Sequence, residues 1–172
     1  MSDLETKQAK RDAALLKRMR SHLQSKDLIS RHDPNQYLQR WFAETTLVSA
    51  SSGQNSDGSL DWRFPVQKEY LNFVHQLAGG AQAALHDVCT GWTLFTVAKP
   101  GYWESFGSSR TLNMSYLKIA KEGEILRLRT KIVSIGSRVA MIRGELSRES
   151  DGQLISTSEH HMHNNDVSRP KL

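Results

Sequence analysis

The sequence LAGGAQAALHD, residues 77–87, joins a glycine pair to a helix-forming run that carries a carboxylate. Gly79 and Gly80 open an alanine-rich segment that predicts one long apolar helix reaching about residue 98. A glycine pair at a helix start leaves backbone N–H groups bare, and the helix dipole makes that end favourable for a developing negative charge. Asp87 is costly to bury on an apolar helix unless it has a partner or a function. Donors and carboxylate together favour acyl chemistry.

Strand patterns stand on both sides of this helix. Residues 45–50 are β-prone, and residues 60–66 form the next strand pattern, which alternates Leu60, Trp62 and Phe64 on one face. The other strand-like segments, separated by turn chemistry, are residues 109–117, 125–135, 138–148 and 154–162. This order predicts an α+β fold, with one long helix wrapped by a curved antiparallel sheet of about six strands.

Residues 1–44 are predicted to form a helical extension. Residues 1–25 are charged, with apolar side chains at helical spacing, which indicates an amphipathic or partly disordered arm. Asp33 and Pro34 form a helix start. That second helix runs through Tyr37, Leu38, Trp41 and Phe42. We expect a helical extension over residues 1–44, one domain over residues 45–165 and a tail over residues 166–172.

Composition limits the class of protein. At 172 residues, with 38% hydrophobic and 24% charged residues, the chain predicts one globular domain with its own core. No apolar run approaches the ~20 residues of a membrane helix, and the start lacks a signal-peptide core. Cys89 is the single cysteine, so no internal disulfide forms and a reducing compartment fits best.

The net charge and the two ends of the chain bear on partners and location. A net charge of +5 indicates either a solvated basic surface or a partner with phosphates, such as coenzyme A. Aromatic residues do not interleave with Lys and Arg, so we expect no nucleic acid. The final RPKL, residues 169–172, matches a peroxisomal signal except for its proline. We expect the cytosol, with the peroxisome and the mitochondrion as alternatives.

Several short motifs stand in a fixed order. Asn72 lies six residues before the triplet AGG at 78–80, Asp87 follows on the next helix, and residues 109–116 read SRTLNMSY. Residues 46–50, TLVSA, match a first strand. With the order of elements, these motifs make most of the chain similar to the hotdog-fold acyl-CoA thioesterases, in the phenylacetyl-CoA and medium-chain acyl-CoA branch.

The resemblance implies a site shared by two subunits. It implies that the Gly79 N–H polarises the thioester carbonyl and stabilises the oxyanion. It gives Asp87, from the partner subunit, the role of general base on a water or of nucleophile through an anhydride. Ser109 would orient the water or the acid, and Asn72 would hold the water or the thioester. We therefore expect a homodimer or a dimer-of-dimers tetramer, which also covers the sheet edge.

The substrate implied is an acyl-CoA or an acyl-carrier thioester, hydrolysed without a metal or redox cofactor, so that coenzyme A enters only as part of the substrate. Candidate contacts to the substrate are Gly80, His75, Ser137, Arg138 and Arg110; Lys131 and Arg143 are further basic groups near the same hairpin. Ala78 departs from the family, which has histidine there, and His75 is a candidate substitute. Ala78 also keeps open a non-catalytic hotdog protein that binds acyl-CoA or a protein partner.

Structural interpretations stand beside these functional ones. Asn72 can be a turn residue, Ser109 a strand-start hydroxyl and Asp87 a surface residue on a partly polar helix face next to His86. Cys89 is expected to be an inert core residue.

The remaining histidines and aromatic residues are expected to have structural roles. The histidine run near the C-terminus is expected at a solvent-facing strand end, not at a metal site; it comprises His160, His161 and His163. The aromatic residues are expected in core or interface packing, with Trp103 and Phe106 as alternative walls of an acyl tunnel; the group is Trp92, Phe95, Tyr102, Trp103 and Phe106.

Overall fold

The computed structural model describes residues 3–23, 44–53 and 57–166. Its helices and strands are α1 (Asp3–Leu23), β1 (Thr46–Ser51), β2 (Ser59–Pro65), α2 (Gly79–Thr93), β3 (Ser108–Tyr116), β4 (Ile125–Ile135), β5 (Val139–Arg148) and β6 (Leu154–His163). Short 3-10 turns lie at Lys68–Tyr70 and Leu94–Thr96. The strands form one six-stranded antiparallel sheet in the order β1-β2-β4-β5-β6-β3.

The long helix α2 packs on one face of this sheet. Inward side chains alternate along the strands, as at Leu126 and Leu128 of β4, and they meet Leu85 and Cys89 of α2 in the main core. Burying each leucine contributes roughly 1.5–3 kcal/mol. The predicted α+β arrangement of one long helix against a six-stranded antiparallel sheet is confirmed.

The central helix is shorter than the sequence predicts. It ends at Thr93 and continues only as a 3-10 turn. Threonine hydroxyls compete for the last carbonyls: Thr93 Oγ1 donates to the Cys89 carbonyl at 2.9 Å, and Thr96 Oγ1 donates to the Thr93 carbonyl at 2.7 Å. Pro100 then disfavours helical geometry at the residue before it.

The predicted amphipathic arm forms α1, which lies against β1. Leu15 and Met19 are buried there, and the Arg20 guanidinium donates to the Leu47 carbonyl at 2.9 and 2.7 Å. No described helix is long and apolar enough to cross a lipid bilayer. The predicted second helix and tail fall outside the described residues: Asp33, Pro34, Tyr37, Leu38, Trp41, Phe42 and residues 169–172.

Candidate active site

A carboxylate and a hydroxyl meet where α2 faces the edge strand β3. Ser109 Oγ donates a hydrogen bond of 2.9 Å to Asp87 Oδ1. The Asp87 side chain keeps 46% of its surface exposed, so solvent reaches the carboxylate. Ser109 can face α2 because the β3–β6 ladder shifts register between Ser109 and Thr111, and such a bulge re-aims a side chain. The structure thus brings together the predicted acid and the predicted orienting hydroxyl.

A third side chain, His160 of β6, approaches the same carboxylate from the interior. Its Nε2 lies 3.5 Å from Asp87 Oδ1, and its Nδ1 lies 2.6 Å from Thr90 Oγ1. The ring is fully buried. Burial lowers the pKa of His160; the charge of Asp87 opposes this shift, and His161 adds to it. The sequence interpretation missed His160 as a neighbour of the candidate acid.

Alternation along β6 explains the position of His160. Met162 and Ser158, two residues away on either side, are buried with it, whereas His161 and His163 are only half-buried. The prediction of a solvent-facing strand end is therefore wrong for His160. A period of two counted back from the apolar Met162 was the signal that could have found it. In the part of the chain that the structure describes, no group of three or more His, Cys, Asp or Glu could hold a metal.

The residue before the acid, His86, is also buried. Its Nδ1 lies 2.7 Å from Ser158 Oγ and its Nε2 lies 3.2 Å from Ser156 Oγ, so the ring joins α2 to β6. Burial lowers the pKa of His86 to about 4. Gly144 makes the room, since a Cβ there would lie 2.5 Å from the His86 Nδ1. The expectation that His86 marks a partly polar helix surface is wrong, because it faces the sheet.

The start of α2 forms a second polar region. Ala78 is the N-cap and makes no side-chain cap, so the N–H groups of Gly79 and Gly80 have no acceptor within the helix. The Tyr116 hydroxyl donates to the Gly79 carbonyl at 3.1 Å, and its ring would lie 3.5 Å from a Cβ on Gly79. A Cβ on Gly80 would meet nothing within 4 Å, so a ligand can approach that backbone closely.

The turn before this helix is held by Asn72. Its Oδ1 accepts hydrogen bonds of 3.1 Å from the backbone N–H groups of Val74 and Gln76. His75 sits on this turn at φ 58° and is exposed. These contacts are those of a turn residue, and none of them joins Asn72 or His75 to Asp87 within the described residues.

The two polar regions of one chain are far apart. Asp87 follows Gly79 by eight residues on a continuous helix, which corresponds to about 12 Å along the axis. A thioester carbonyl must lie about 3 Å from both its oxyanion donor and its attacking group. This separation favours a site in which Gly79 and Asp87 come from different copies of the chain.

Basic candidates lie at the end of the sheet that holds Ser109. Ser137 and Arg138 are exposed in the β4–β5 hairpin, and the ladder next to them connects Val139 to His163 and His163 to Ser108. Arg110 is exposed beside Ser109. Lys131 and Arg143, in contrast, form ion pairs with Asp57 and Glu159 at 3.4 and 2.8 Å.

The aromatic candidates divide into two groups. Trp103 is fully buried and donates from Nε1 to the Gly136 carbonyl at 2.9 Å, in a second core cluster that Tyr102 packs against. Phe106 is 37% exposed and stacks edge-on against Phe95 and Trp92, with centroids 4.1 and 5.3 Å apart. Trp103 is thus a core residue, whereas Phe106 is partly open to solvent.

Cys89 is buried, as expected. Burial raises the pKa of its thiol, so the nucleophilic thiolate is disfavoured. The structure therefore supports the interpretation of Cys89 as a core residue.

Comparison with known proteins finds similarity to thioesterases and to one esterase. The thioesterase superfamily matches residues 75–155. Human acyl-coenzyme A thioesterase 13 is 26% identical over 126 residues, covering 73% of this chain and 84% of that protein. A Caenorhabditis elegans protein named as an esterase is 30% identical over 95 residues, and the match covers 55% of this chain and 54% of that protein, about half its length.

Two solved structures share the arrangement of helix and sheet. Zebra fish thioesterase superfamily member 2 superposes with a TM-score of 0.66 at 22% identity, covering 77% of this chain and 89% of that one. A phenylacetic acid degradation-related protein of Ralstonia eutropha is 30% identical, with a TM-score of 0.54 and coverage of 61% and 75%. With its long helix against an antiparallel sheet, the hotdog fold, this chain belongs to the thioesterase superfamily.

Proposed function

We propose that this chain hydrolyses an acyl-CoA, or a related acyl thioester, to a free acid and a thiol. The observation that carries the proposal is the half-exposed Asp87 carboxylate, held by the Ser109 hydroxyl at 2.9 Å and faced by the buried His160 ring at 3.5 Å. Relatives named acyl-coenzyme A thioesterase 13 support coenzyme A as the thiol carrier.

The chemistry needs one base and one set of donors. Asp87 takes a proton from a water whose oxygen attacks the thioester carbon, and the carbonyl electrons move onto oxygen. The Gly79 N–H stabilises that oxyanion. Collapse of the intermediate expels the thiolate, which leaves without a general acid because the pKa of such a thiol is about 8.5. In the alternative route Asp87 itself attacks the thioester carbon and expels the thiolate to form an anhydride, which water then hydrolyses.

Ser109 and His160 prepare Asp87 for this role. Both contact Oδ1, which leaves Oδ2 as the oxygen that can receive the proton of the water. Because Ser109 donates to the carboxylate, it fixes the orientation of Asp87 without supplying a competing base. The arrangement favours a positioned carboxylate that still meets solvent.

We infer that a second copy of the chain completes the site, because Gly79 and Asp87 are about 12 Å apart along the helix axis in one copy. Strand β3 is at the sheet edge, with most of its residues exposed, and an unpaired edge is a template for another strand. Along β3, Ser109 contacts Asp87 and Tyr116 contacts Gly79 at the start of α2. If β3 pairs with β3 of a second copy so that Ser109 lies opposite Tyr116 of that copy, Asp87 of one copy comes close to Gly79 of the other.

The faces of β3 fix the register of this pairing. Residues directly opposite each other in an antiparallel pair must point to the same face. The bulge places Ser109 at the ladder position that residue 110 would otherwise take. If Ser109 at this position lies opposite Tyr116 of the second copy, then Thr111 lies opposite Ser115 and Leu112 lies opposite Met114. The two-fold axis therefore passes through Asn113.

A cysteine scan tests this register. Opposite residues of an antiparallel pair have Cα atoms about 4.5–5.5 Å apart, within disulfide range. Asn113→Cys should therefore cross-link to its own copy in the dimer under mild oxidation. Ser115→Cys, equally exposed on the same face, is the matched control, since its own copy would be about 13 Å away. Equal cross-linking of the two variants, or a monomer by light scattering, would contradict the shared site.

Thiol release tests the activity. Wild type should release thiol from one or more members of a panel of acetyl-, hexanoyl-, decanoyl- and phenylacetyl-CoA. Asp87→Asn should lose roughly a hundredfold or more in kcat, as expected for a positioned acid–base group. Glu159→Gln is the matched control. It removes a carboxylate from the same strand as His160, but this carboxylate forms a surface ion pair with Arg143, so the variant should retain wild-type rates. Equal rates for Asp87→Asn and wild type would remove Asp87 from the mechanism.

Binding without hydrolysis is the second candidate function. It is favoured by Ala78, which leaves the N-cap of α2 without a side-chain donor or acceptor. Calorimetry with coenzyme A separates the two: binding with no thiol release from any thioester favours this alternative.

A further inference from the structure

We propose that Tyr116 is a positioning residue that fixes the peptide group bearing the Gly80 N–H, and that this N–H is a second oxyanion donor. The inference rests on the proposed thioesterase function. It extends that function from one backbone donor to two, and it gives the strand β3 a direct part in holding them.

The contacts define which peptide group Tyr116 holds. Its hydroxyl donates to the Gly79 carbonyl oxygen at 3.1 Å. Since a peptide group is planar and trans, the Gly79 carbonyl and the Gly80 N–H lie in one plane and point in opposite directions. A hydrogen bond that fixes the carbonyl therefore fixes the direction of the Gly80 N–H as well.

The ring of Tyr116 adds a second restraint. Its Cε1 and Cζ would both lie 3.5 Å from a Cβ on Gly79, so the ring covers this glycine on one side. Gly80, in contrast, has nothing within 4 Å of a Cβ position. The helix start is thus clamped at Gly79 and open at Gly80, which is the arrangement that lets a substrate oxygen approach an ordered N–H.

The hydrogen bond also changes the strength of the donor. A peptide whose carbonyl accepts a hydrogen bond is polarised, and its N–H becomes a better donor. The Gly80 N–H lies in the first turn of α2, where it has no partner within the helix and the dipole favours negative charge. Two adjacent donors at one helix start form the kind of site that stabilises an oxyanion.

Tyr116 is not needed as a core residue, because 52% of its surface is exposed. Tyr116→Phe keeps the ring over Gly79 and removes only the hydroxyl. We expect kcat to fall about three- to tenfold, the value of one neutral hydrogen bond, with KM within twofold of wild type. Tyr102→Phe is the matched control, since Tyr102 lies in the turn near Lys99, and should not change kcat.

A direct test removes the donor itself. Gly80→Pro eliminates the N–H, and proline is tolerated in the first turn of a helix. Gly80→Ala retains the N–H, and its Cβ meets nothing. We expect a loss of about a hundredfold in kcat for Gly80→Pro and a kcat about tenfold or more higher for Gly80→Ala than for Gly80→Pro, with circular dichroism showing that both variants are folded; equal kcat values for the two variants would overturn the role of the Gly80 N–H.

A spectroscopic readout does not depend on turnover. Labelling with 15N-glycine gives one backbone amide signal for each of the 11 glycines. The signal that is missing from the spectrum of Gly80→Ala identifies Gly80. Tyr116→Phe should shift the Gly80 amide while leaving the Gly152 amide in place. An unshifted Gly80 amide with unchanged kcat in an active enzyme would overturn this inference alone. A wild-type protein that releases no thiol from any thioester would instead contradict the proposed function.

Discussion

Acidification should destabilise this fold through His86. The pKa of this residue falls from 6.5 to about 4 because the ring is buried, so the folded protein holds it neutral in a pH range where the unfolded chain protonates it. Stability from the neutral ring is fully present above pH 6.5. It is lost progressively as the pH falls from 6.5 towards 4, since only the unfolded state takes up the proton there.

The size of this effect follows from the shift. A difference of 6.5 to about 4, at about 1.36 kcal/mol per pKa unit, corresponds to about 3 kcal/mol below pH 4. At pH 5 about 2 kcal/mol of this is already lost. Such a loss is a large fraction of the roughly 5–15 kcal/mol stability of a typical domain.

Urea unfolding at pH 7.5 and pH 5.0, followed by tryptophan fluorescence at one protein concentration, measures the loss. His86→Gln keeps an amide that can bond Ser158 but cannot titrate, so its free energy of unfolding should fall by about 2 kcal/mol less than that of wild type over this range. His75→Gln, at an exposed histidine, should retain the wild-type dependence. An identical pH dependence in wild type and His86→Gln would refute the assignment of this proton uptake to His86.

Two further predictions concern the candidate site. Ser109→Ala removes the hydrogen bond to a half-exposed carboxylate and should lower kcat about tenfold in the thiol-release assay; a rate equal to wild type would show that Ser109 does not orient Asp87. Arg138→Ala should raise KM several-fold for an acyl-CoA but not for the N-acetylcysteamine thioester of the same acid, which has no phosphates. Arg143→Ala, whose charge is paired with Glu159, should change neither KM. Equal effects of Arg138→Ala on the two substrates would exclude a phosphate contact.

Much of the fold could be predicted from local sequence. The six strands follow period-two patterns and turn residues, and their predicted bounds match within two residues. The Asp87–Ser109 contact was expected only through the resemblance, because Ser109 lies on an edge strand whose face depends on a bulge.

The two buried histidines differ in how far local sequence could place them. In β6 the apolar Met162 sets the phase of the alternation, so counting back by two puts His160 on the buried face of a strand that is otherwise polar over residues 156–163. The contacts of His160 with Thr90 and Asp87 depend on how β6 packs against α2 and could not be predicted in this way. His86 depends on Gly144, which is remote in sequence and leaves the space that the ring fills.

The bulge at Arg110 explains how one strand can hold both halves of the candidate site. Ser109 and Tyr116 are seven residues apart, and an odd separation on a regular strand puts two side chains on opposite faces. Yet Ser109 bonds Asp87 and Tyr116 bonds Gly79, both on α2. The register shift between Ser109 and Thr111 adds one residue to β3 against β6 and restores a common face. Without the bulge, a strand that presents Tyr116 to the helix start would turn Ser109 away from the carboxylate.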